Sequence, residues 1–423
     1  MSAACPPEGA HTVAEGKGAP VNDKTEPITL KGLTWAHPRG YDPLVACASR
    51  YAQLTGHVRI EWRQRSLHDF GAAPIEELAR SFDLLVIDHP FIGQAERAGC
   101  FRDLRELIAA PVLSRLTAQG AGPSGQAYVW RDKVFALPTD AAAQVASYRE
   151  DLLADLAPEP PGRWADVLLL AERARANGQT LAWAGKPTDA ACTFLTLAAN
   201  LGHPLGRNEG EFLPAHATEQ VMRHLHWIVQ HAQPSCLVDD PIRVYEAMLA
   251  GERMVYCPAA FGYSNYARQE RRPWLRFAPL AGPGAEPSRG ALLGGAGMAI
   301  SSHSVAPRAA AAFLAWLHSA KVQRGLYASA GGQPGNLAAW RDRSVNAMAR
   351  DFFAATLTTL EAAWVRPRFA GIVAFVEAAG GEINRCLRGQ TDMRRLQRAL
   401  TALYRQAWAE RGQALSPAPK HAP

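Results

Sequence analysis

Apolar and polar positions alternate along the first ninety residues in the rhythm of strands and helices. Strands are predicted at 28–35, at 58–62, where every second residue is apolar, and at 83–88, where the apolar run between two carboxylates is continuous. Helices are predicted between them at 42–55, starting at Asp42-Pro43, and at 74–81. This β-α-β-α-β order predicts a doubly wound α/β domain.

Helical spacing dominates the rest of the chain. A strand is predicted at 134–138, and short strands are predicted at 180–184 and 253–257. The segment 291–302 has the pattern of a strand with three glycines in it, which is typical of a bend or of close backbone approach. The remaining predicted helices are 149–156, 163–177, 188–201, 217–231, 240–250, 306–319, 321–329, 342–363, 370–388 and 391–410.

Composition narrows the class of protein. The 423 residues are 48% hydrophobic and 20% charged, which is typical of a globular chain of about two or three domains. No apolar run reaches the roughly 18 residues of a transmembrane helix. The net charge of +6 includes no block of basic residues, which argues against a nucleic-acid-binding tail. The seven cysteines are widely spaced and odd in number, so neither a metal site nor a disulfide framework is predicted.

The two ends of the chain differ in composition from its middle. Residues 1–27 are rich in Gly, Pro, Ala and charge and contain no apolar stretch of the kind a signal peptide needs. We expect a disordered tail there and a second tail at 413–423. The sequence as written therefore predicts no export signal.

Catalytic motifs are absent from the sequence. There is no G-x-S-x-G, no P-loop and no G-x-G-x-x-G after the first strand, and no carboxylate pair has spacing that suggests acid–base work. An enzyme using His37, Asp88 and His89 as acid–base groups is the remaining catalytic alternative. We therefore expect no catalytic residues, no cofactor and no enzymatic activity.

Five segments carry a resemblance to a known family. They are LKGLTWAHPRGYDPL, DLLVIDHPFIG, FALPTDAAAQVASYREDLL, LLGGAGMAISSHS and AAAFLAWLHSAKVQRGLYASAGGQPG. In this order and spacing the chain resembles the family 1 extracellular solute-binding proteins, the maltose-binding-protein-like substrate-binding components of ABC importers. The resemblance implies a type II periplasmic-binding-protein-like α/β fold, with two lobes and a ligand cleft at the hinge.

The resemblance also implies where the chain crosses between the lobes. Crossings are expected near 138–142, 291–296 and 331–345. The predicted first lobe is 28–138 plus 293–335, and the predicted second, helix-rich lobe is 139–292 plus 336–412.

Polar residues that follow strands are the first candidates for ligand contact, because α/β sheets bind ligands beyond the carboxyl ends of their strands. Arg39, with free N–H groups at the next helix start, would suit a carboxylate or phosphate, or would pair with Asp42 or Asp88 and stabilise its loop. Asp88 would bind hydroxyls or ammonium, or cap the next turn; Asp140 would contact ligand at a crossing, or serve turn chemistry. The polar candidates are His37, Arg39, Tyr41, Asp88, His89, Thr139 and Asp140.

Aromatic rings and glycines complete the candidate site. Rings matter if the ligand is a sugar, whose C–H faces pack on them, although aromatic residues are commonly core residues. Trp35, Trp183, Phe261 and Tyr263 are the candidate platforms. Gly294 and Gly295 would allow close ligand approach or hinge motion, or would form a strand bulge.

Two functional hypotheses follow. The first is a monomeric binding protein that captures a small polar solute, a sugar or an organic anion, by closure of its two lobes. It would deliver the solute to the permease subunits of an ABC importer, in the periplasm by family resemblance. The second, motivated by the absent export signal, is a cytoplasmic ligand-binding or accessory protein on the same fold. Neither hypothesis includes a nucleic-acid partner.

Overall fold

The computed structural model describes residues 27–66, 75–251, 253–268, 273–284 and 287–411. Both predicted tails lie outside these ranges, except for residue 27. The strands are β1 Ile28–Trp35, β2 Val58–Arg65, β3 Leu84–Ile87, β4 Val129–Trp130, β5 Lys133–Val134, β6 Ala136–Tyr148, β7 Thr180–Leu181, β8 Met254–Phe261, β9 Arg276–Ala278 and β10 Leu293–Ile300.

Helices surround these strands. They are α1 Pro38–Thr55, α2 Ile75–Ser81, α3 Ile92–Ala98, α4 Ala110–Ala118, α5 Ser124–Ala127, α6 Glu150–Leu153, α7 Trp164–Ala176, α8 Pro187–Asn200, α9 Ala215–His231, α10 Pro241–Leu249, α11 Pro307–Leu317, α12 Ala320–Val322, α13 Leu337–Trp340, α14 Arg343–Met348, α15 Phe352–Glu361, α16 Ile372–Leu387 and α17 Met393–Glu410. Short 3-10 turns at His89–Phe91, Leu104–Glu106 and Ser264–Ala267 and a π-helical turn at Gln323–Tyr327 complete the described elements.

Two groups of strands share one long strand. The order is β2-β1-β3-β10-β6-β8-β7, with β9 also on β6. The strands β1, β2 and β3 are parallel, and β10 joins them antiparallel. The first part of the 13-residue β6 pairs with β10, and its residues 144–148 pair with β8 and β9. Hydrogen bonding is therefore continuous through β6, which passes from one group to the other.

A third connection lies beside these strands. Pro334 pairs with Asp140 and Asn336 pairs with Gly120, so the chain near 334–336 runs along the start of β6. Three segments thus meet where the two strand groups join. They lie near 138–142, 291–296 and 331–345, and the division of the chain into lobes at these positions stays a prediction.

Several hydrophobic clusters stabilise the fold, and one of them contains residues of both strand groups, among them Leu85 of β3 and Cys257 of β8. Leu30, Leu84 and Phe313 are fully buried between the β1–β3 sheet and the helices α1 and α11. Phe194 and Phe375 belong to a second cluster, formed by α8, α9, α16 and α17. Each such side chain contributes about 1.5–3 kcal/mol on burial, so these clusters hold the helices to the strands and to one another.

Helix α1 begins four residues earlier than predicted. Its N-cap is His37, whose ring accepts a hydrogen bond from the backbone of Arg39, and Pro38 occupies the first helical position. Pro43, taken above as the start, lies inside the helix. Proline is compatible with the first turn at either place, so the sequence pattern did not distinguish the two. Arg39 and Tyr41 consequently lie in the first turn of a helix and not in a loop.

The predicted helix 342–363 is two helices. Between α14 and α15, Arg350 and Asp351 have φ of 48° and 62°. The side chain of Asn346 accepts a hydrogen bond from the backbone of Ala354 at 2.8 Å, which replaces helical bonding across the break. This left-handed turn contains no glycine, so no signal for the break was present in the sequence.

Candidate functional site

A cavity of about 220 Å³ lies where the two strand groups meet. One wall comes from the end of β3 and the turn after it, with Asp88 and Phe91. The opposite wall comes from the starts of α8 and α10 and from α16, with Asp189, Asp240 and Glu377. The crossing strands β6 and β10 form the base between these walls. This is the edge at which doubly wound sheets bind ligands.

Eight of the thirteen predicted site residues line this cavity. They come from the end of β1, the start of α1, the end of β3, both crossing strands and the end of β8. They are Trp35, Arg39, Asp88, Asp140, Phe261, Tyr263, Gly294 and Gly295. Their contact with a ligand remains a prediction.

The other five predicted residues lie outside the cavity lining. His37 caps α1, and Tyr41 follows one turn later. His89 is fully buried, and the hydroxyl of Thr139 lies 2.9 Å from Nε2 of the buried His318. Trp183 is fully buried in the cluster beneath α8, with its backbone N–H donated to Gln233. The placement of Trp183 departs from the prediction of an open platform, because the chain turns into the core after the short strand β7.

Arg39 connects three segments of the chain through buried side-chain contacts. It is 3% exposed, and its Nε and Nη2 donate to the two carboxylate oxygens of Asp140, the former at 2.7 Å. Its Nη1 donates to the carbonyl of Gly262 at 2.9 Å, and its guanidinium lies 4.4 Å from the ring centre of Tyr263. Burial lowers the pKa of Arg39, but the charge of Asp140 and the hydrogen bonds to it, with smaller effects of Tyr263 and Tyr327, together outweigh burial and the net shift is upward. The predicted pairing of Arg39 with Asp42 or Asp88 is therefore wrong.

Asp88 pairs with an arginine that the sequence analysis did not select. Its Oδ2 accepts from Nη2 of Arg366, which is 6% exposed and follows α15. Nδ1 of His89 lies 3.1 Å from Oδ1. Although burial raises the pKa of Asp88, the charge of Arg366 and the contact with His89 lower it to about 2. Asp88 is therefore a carboxylate at neutral pH, and Arg366 neutralises it.

The opposite wall has carboxyl groups without matching cations. Nζ of Lys186 lies 3.7 Å from Asp240, whose other oxygen caps α10. Asp189 and Glu377 have no ion pair or side-chain hydrogen bond within the described part of the chain. Burial and the charge of Asp240 raise the pKa of Asp189 from 3.8 to about 7, against the opposing effect of Lys186.

Asp189→Asn should stabilise the protein at pH 8 and leave it nearly unchanged at pH 4.5. The folded state holds the Asp189 proton up to about pH 7, so its contribution to stability falls as pH rises from about 4 to about 7. At about 1.4 kcal/mol per pKa unit, and allowing for solvent in the cavity, the gain at pH 8 is roughly 2–4 kcal/mol. Urea unfolding of both proteins at pH 4.5, 6 and 8 measures it.

Asp166→Asn is a control whose stability at pH 8 should change in the opposite direction. Arg163 lowers the pKa of Asp166 in the capping box of α7, so this variant should lose stability at pH 8. If the free energies of unfolding of wild type and Asp189→Asn differ by the same amount at all three pH values, the assignment of a raised pKa to Asp189 is wrong.

The sequence analysis missed five charged residues of the lining. They are Lys186, Asp189, Asp240, Arg366 and Glu377. Lys186-Pro187 begins α8, which follows the strand β7, and helix starts that follow strands lie at the ligand-binding edge of a sheet, so this dipeptide held a usable signal. Asp240-Pro241 begins α10, which follows the helix α9, so it did not. Arg366 and Glu377 had no such signal, because only the tertiary fold brings them to β3 and α8.

Two features are absent from the described ranges. Within them, no group of three or more His, Cys, Asp or Glu is arranged to hold a metal ion. No described helix is long and apolar enough to cross a membrane.

Comparison with known proteins identifies relatives of this fold. The family of bacterial extracellular solute-binding proteins matches residues 71–324. No curated protein matches the chain in sequence.

Several solved structures share the fold. MalE3 of T. maritima with bound maltose superposes with a TM-score of 0.77 at 17% identity, over 90% of this chain and 99% of that one. The solute-binding protein of Agrobacterium radiobacter K84 with ribitol gives 0.72 at 18% identity, over 91% and 98%. The solute-binding protein of Thermotoga lettingae TMO with α-D-tagatose superposes with a TM-score of 0.76 at 14% identity, over 90% of this chain and 100% of that one. The predicted α/β fold with two lobes and a cleft at the hinge is confirmed.

Proposed function

Because the chain belongs to the family of bacterial extracellular solute-binding proteins, we propose that it captures a small polyhydroxylated molecule, a sugar or a polyol, for an ABC importer. Proteins of this family bind solutes and do not transform them. The observation that carries the choice of ligand is the cavity at the crossing strands, which combines aromatic rings with carboxyl groups. Rings pack on sugar C–H faces, and carboxylates accept hydrogen bonds from hydroxyls.

The charges of the cavity favour a polyol over the organic anion considered above. Arg39 and Arg366 are each paired with a buried or half-buried carboxylate, Asp140 and Asp88. An anionic ligand would have to break one of these pairs, compete with Asp240 for Lys186, or remain unpaired near Asp189, and a desolvated unpaired charge costs several kcal/mol. The ligands of the relatives, maltose, ribitol and tagatose, support the same choice.

Capture would operate through closure of the two lobes. Asp88 lies on one wall of the cavity, and Asp240 and Glu377 lie on the other. A ligand that contacts both walls favours the closed arrangement by its difference in affinity for the closed and open states. The bends in β6 and β10 and the segment near 334 would carry the hinge motion.

The proposal also covers where the protein works and which proteins receive its ligand. We infer that it works outside the cytoplasm with importer permeases. The cytoplasmic alternative has no comparison in its favour.

A thermal-shift panel of sugars, polyols and organic acids tests the proposed ligand class. A ligand at a hundred times its Kd stabilises the folded state by about 2.7 kcal/mol, so binding sugars or polyols should raise the melting temperature measurably. Stabilisation by organic acids alone would overturn the proposal, and so would a flat response to the whole panel.

Phe261→Leu separates ligand contact from folding. Phe261 is half-buried and lines the cavity. The variant should bind the best panel ligand about tenfold more weakly, about 1.4 kcal/mol, which lies within the range for an aromatic contact. Phe212→Leu, a half-buried ring outside the lining, is the matched control and should leave the Kd unchanged. Equal losses of affinity in both variants would remove Phe261 from the site.

A further inference from the structure

We propose that the preferred ligand carries a protonated amine on its hydroxylated frame. This inference rests on the proposed function and narrows its ligand class. It derives from the charges that the cavity walls leave uncompensated.

Carboxyl groups outnumber cations around the cavity. The lining contains Asp88, Asp140, Asp189, Asp240 and Glu377, against the cations Arg39, Arg366 and Lys186. Each arginine is committed to one carboxylate, Arg39 to Asp140 and Arg366 to Asp88. The remaining three carboxyl groups share one ammonium.

That ammonium is a weak partner. Nζ of Lys186 lies 3.7 Å from Asp240, and the lysine side chain is 43% exposed. Within the described residues the side-chain carboxyl groups of Asp189 and Glu377 have no ion pair or hydrogen bond. Asp189 retains its proton to about pH 7, because burial and Asp240 both disfavour a second negative charge there. The raised pKa of Asp189 thus reduces the repulsion among the carboxyl groups of this wall.

A ligand ammonium would replace that proton. It offers three N–H donors and a positive charge, and hydrogen bonds of this kind are about twice as strong as neutral ones. The hydroxyls of a neutral sugar would satisfy the same oxygen atoms but leave the excess charge in place.

The aromatic part of the lining suits a cation as well. Trp35, Phe91, Phe261 and Tyr263 line the same cavity. The guanidinium of Arg39 already lies on the ring of Tyr263. Ring faces attract cations, and the attraction increases where water is excluded. Carboxyl groups and rings together therefore favour an ammonium over a neutral group of the same size.

Two triads of probes test the proposal. The three compounds of each triad share one carbon frame and carry a positive, a zero and a negative charge. The first is D-glucamine, D-sorbitol and D-gluconate. The second is methyl 6-amino-6-deoxy-α-D-glucoside, methyl α-D-glucoside and methyl α-D-glucuronide. Titration calorimetry of the full chain at pH 7.5 and constant ionic strength should give, in at least one triad, an amine that binds about tenfold or more tightly than its neutral counterpart. The acid should bind most weakly.

Variants assign the preference to the wall. Asp189→Asn with Glu377→Gln should reduce the ratio of amine to neutral affinity to about one, while the neutral affinity changes less than threefold. Glu382→Gln is the control, because Glu382 lies on α16 like Glu377, pairs with Arg385 at 3.1 Å and is outside the lining. It should keep the wild-type ratio. If the double variant has a much lower melting temperature than the wild type, the two single variants replace it. Each of them should then reduce the ratio of amine to neutral affinity in part.

The outcomes separate this inference from the function on which it rests. If in each triad a neutral or acidic probe binds as tightly as the amine, the solute-binding proposal stands and the ammonium inference is overturned. An amine preference that survives in the double variant also overturns it. No binding in either triad overturns it too, and the wider panel of sugars and polyols then decides the proposed function alone.

Discussion

Arg39→Ala should lower the free energy of unfolding by about 3–5 kcal/mol, the cost of leaving one partner of a buried ion pair uncompensated. Asp140 is 1% exposed, and both of its oxygens accept hydrogen bonds from Arg39. The variant also loses the bond to Gly262 and the contact with Tyr263. Urea unfolding at pH 7.5, followed by tryptophan fluorescence, measures the loss.

Two further variants isolate the buried charge as the cause. The double variant Arg39→Met with Asp140→Leu removes both charges and should be more stable than Arg39→Ala, because apolar replacements of a buried pair are often neutral. Arg341→Ala breaks an exposed pair with Glu361, 2.9 Å long, and should cost less than about 1 kcal/mol. A loss for Arg39→Ala no larger than that for Arg341→Ala would show that Arg39 does not hold the crossing together.

Gly295→Ala should destabilise the protein by roughly 2–6 kcal/mol. Gly295 has φ of 92°, where an L side chain is strained by about 1–3 kcal/mol. A Cβ there would also overlap the carbonyl oxygen of Asp140 and lie 2.8 Å from Cα of Ala141. These are backbone atoms of β6, so relief requires the two crossing strands to separate, at the roughly 1–3 kcal/mol typical of overpacking. Thermal and urea unfolding measure the effect.

Gly202→Ala separates the two costs. Gly202 has φ of 86°, close to that of Gly295, but a Cβ there meets nothing within 4 Å. This control should therefore lose only the cost of the backbone conformation, about 1–3 kcal/mol. Equal losses at both positions would mean that β6 and β10 can separate freely, and close strand contact would then not explain the glycine in β10.

Local signals in the sequence determined the fold class and most of its elements. The alternation at 58–62 and the apolar run at 83–88 predicted β2 and β3, because strand burial repeats every second residue or continues through a buried sheet. The resemblance carried by the five segments is likewise confirmed, since the family matches over residues 71–324. Breaks were harder to predict: the left-handed turn at Arg350 and Asp351 has no glycine.

The partners of the charged residues were decided only by the tertiary structure. The sequence selected Arg39 and Asp88 as strand-end residues, and both line the cavity. It could not pair Arg39 with Asp140, 101 residues away, or Asp88 with Arg366, 278 residues away. Local patterns report backbone conformation and burial, whereas an ion pair depends on which distant segments the fold brings within a few ångströms. The same reason explains the missed wall of Asp189, Asp240 and Glu377, whose excess of negative charge exists only where three separate helices meet the crossing strands.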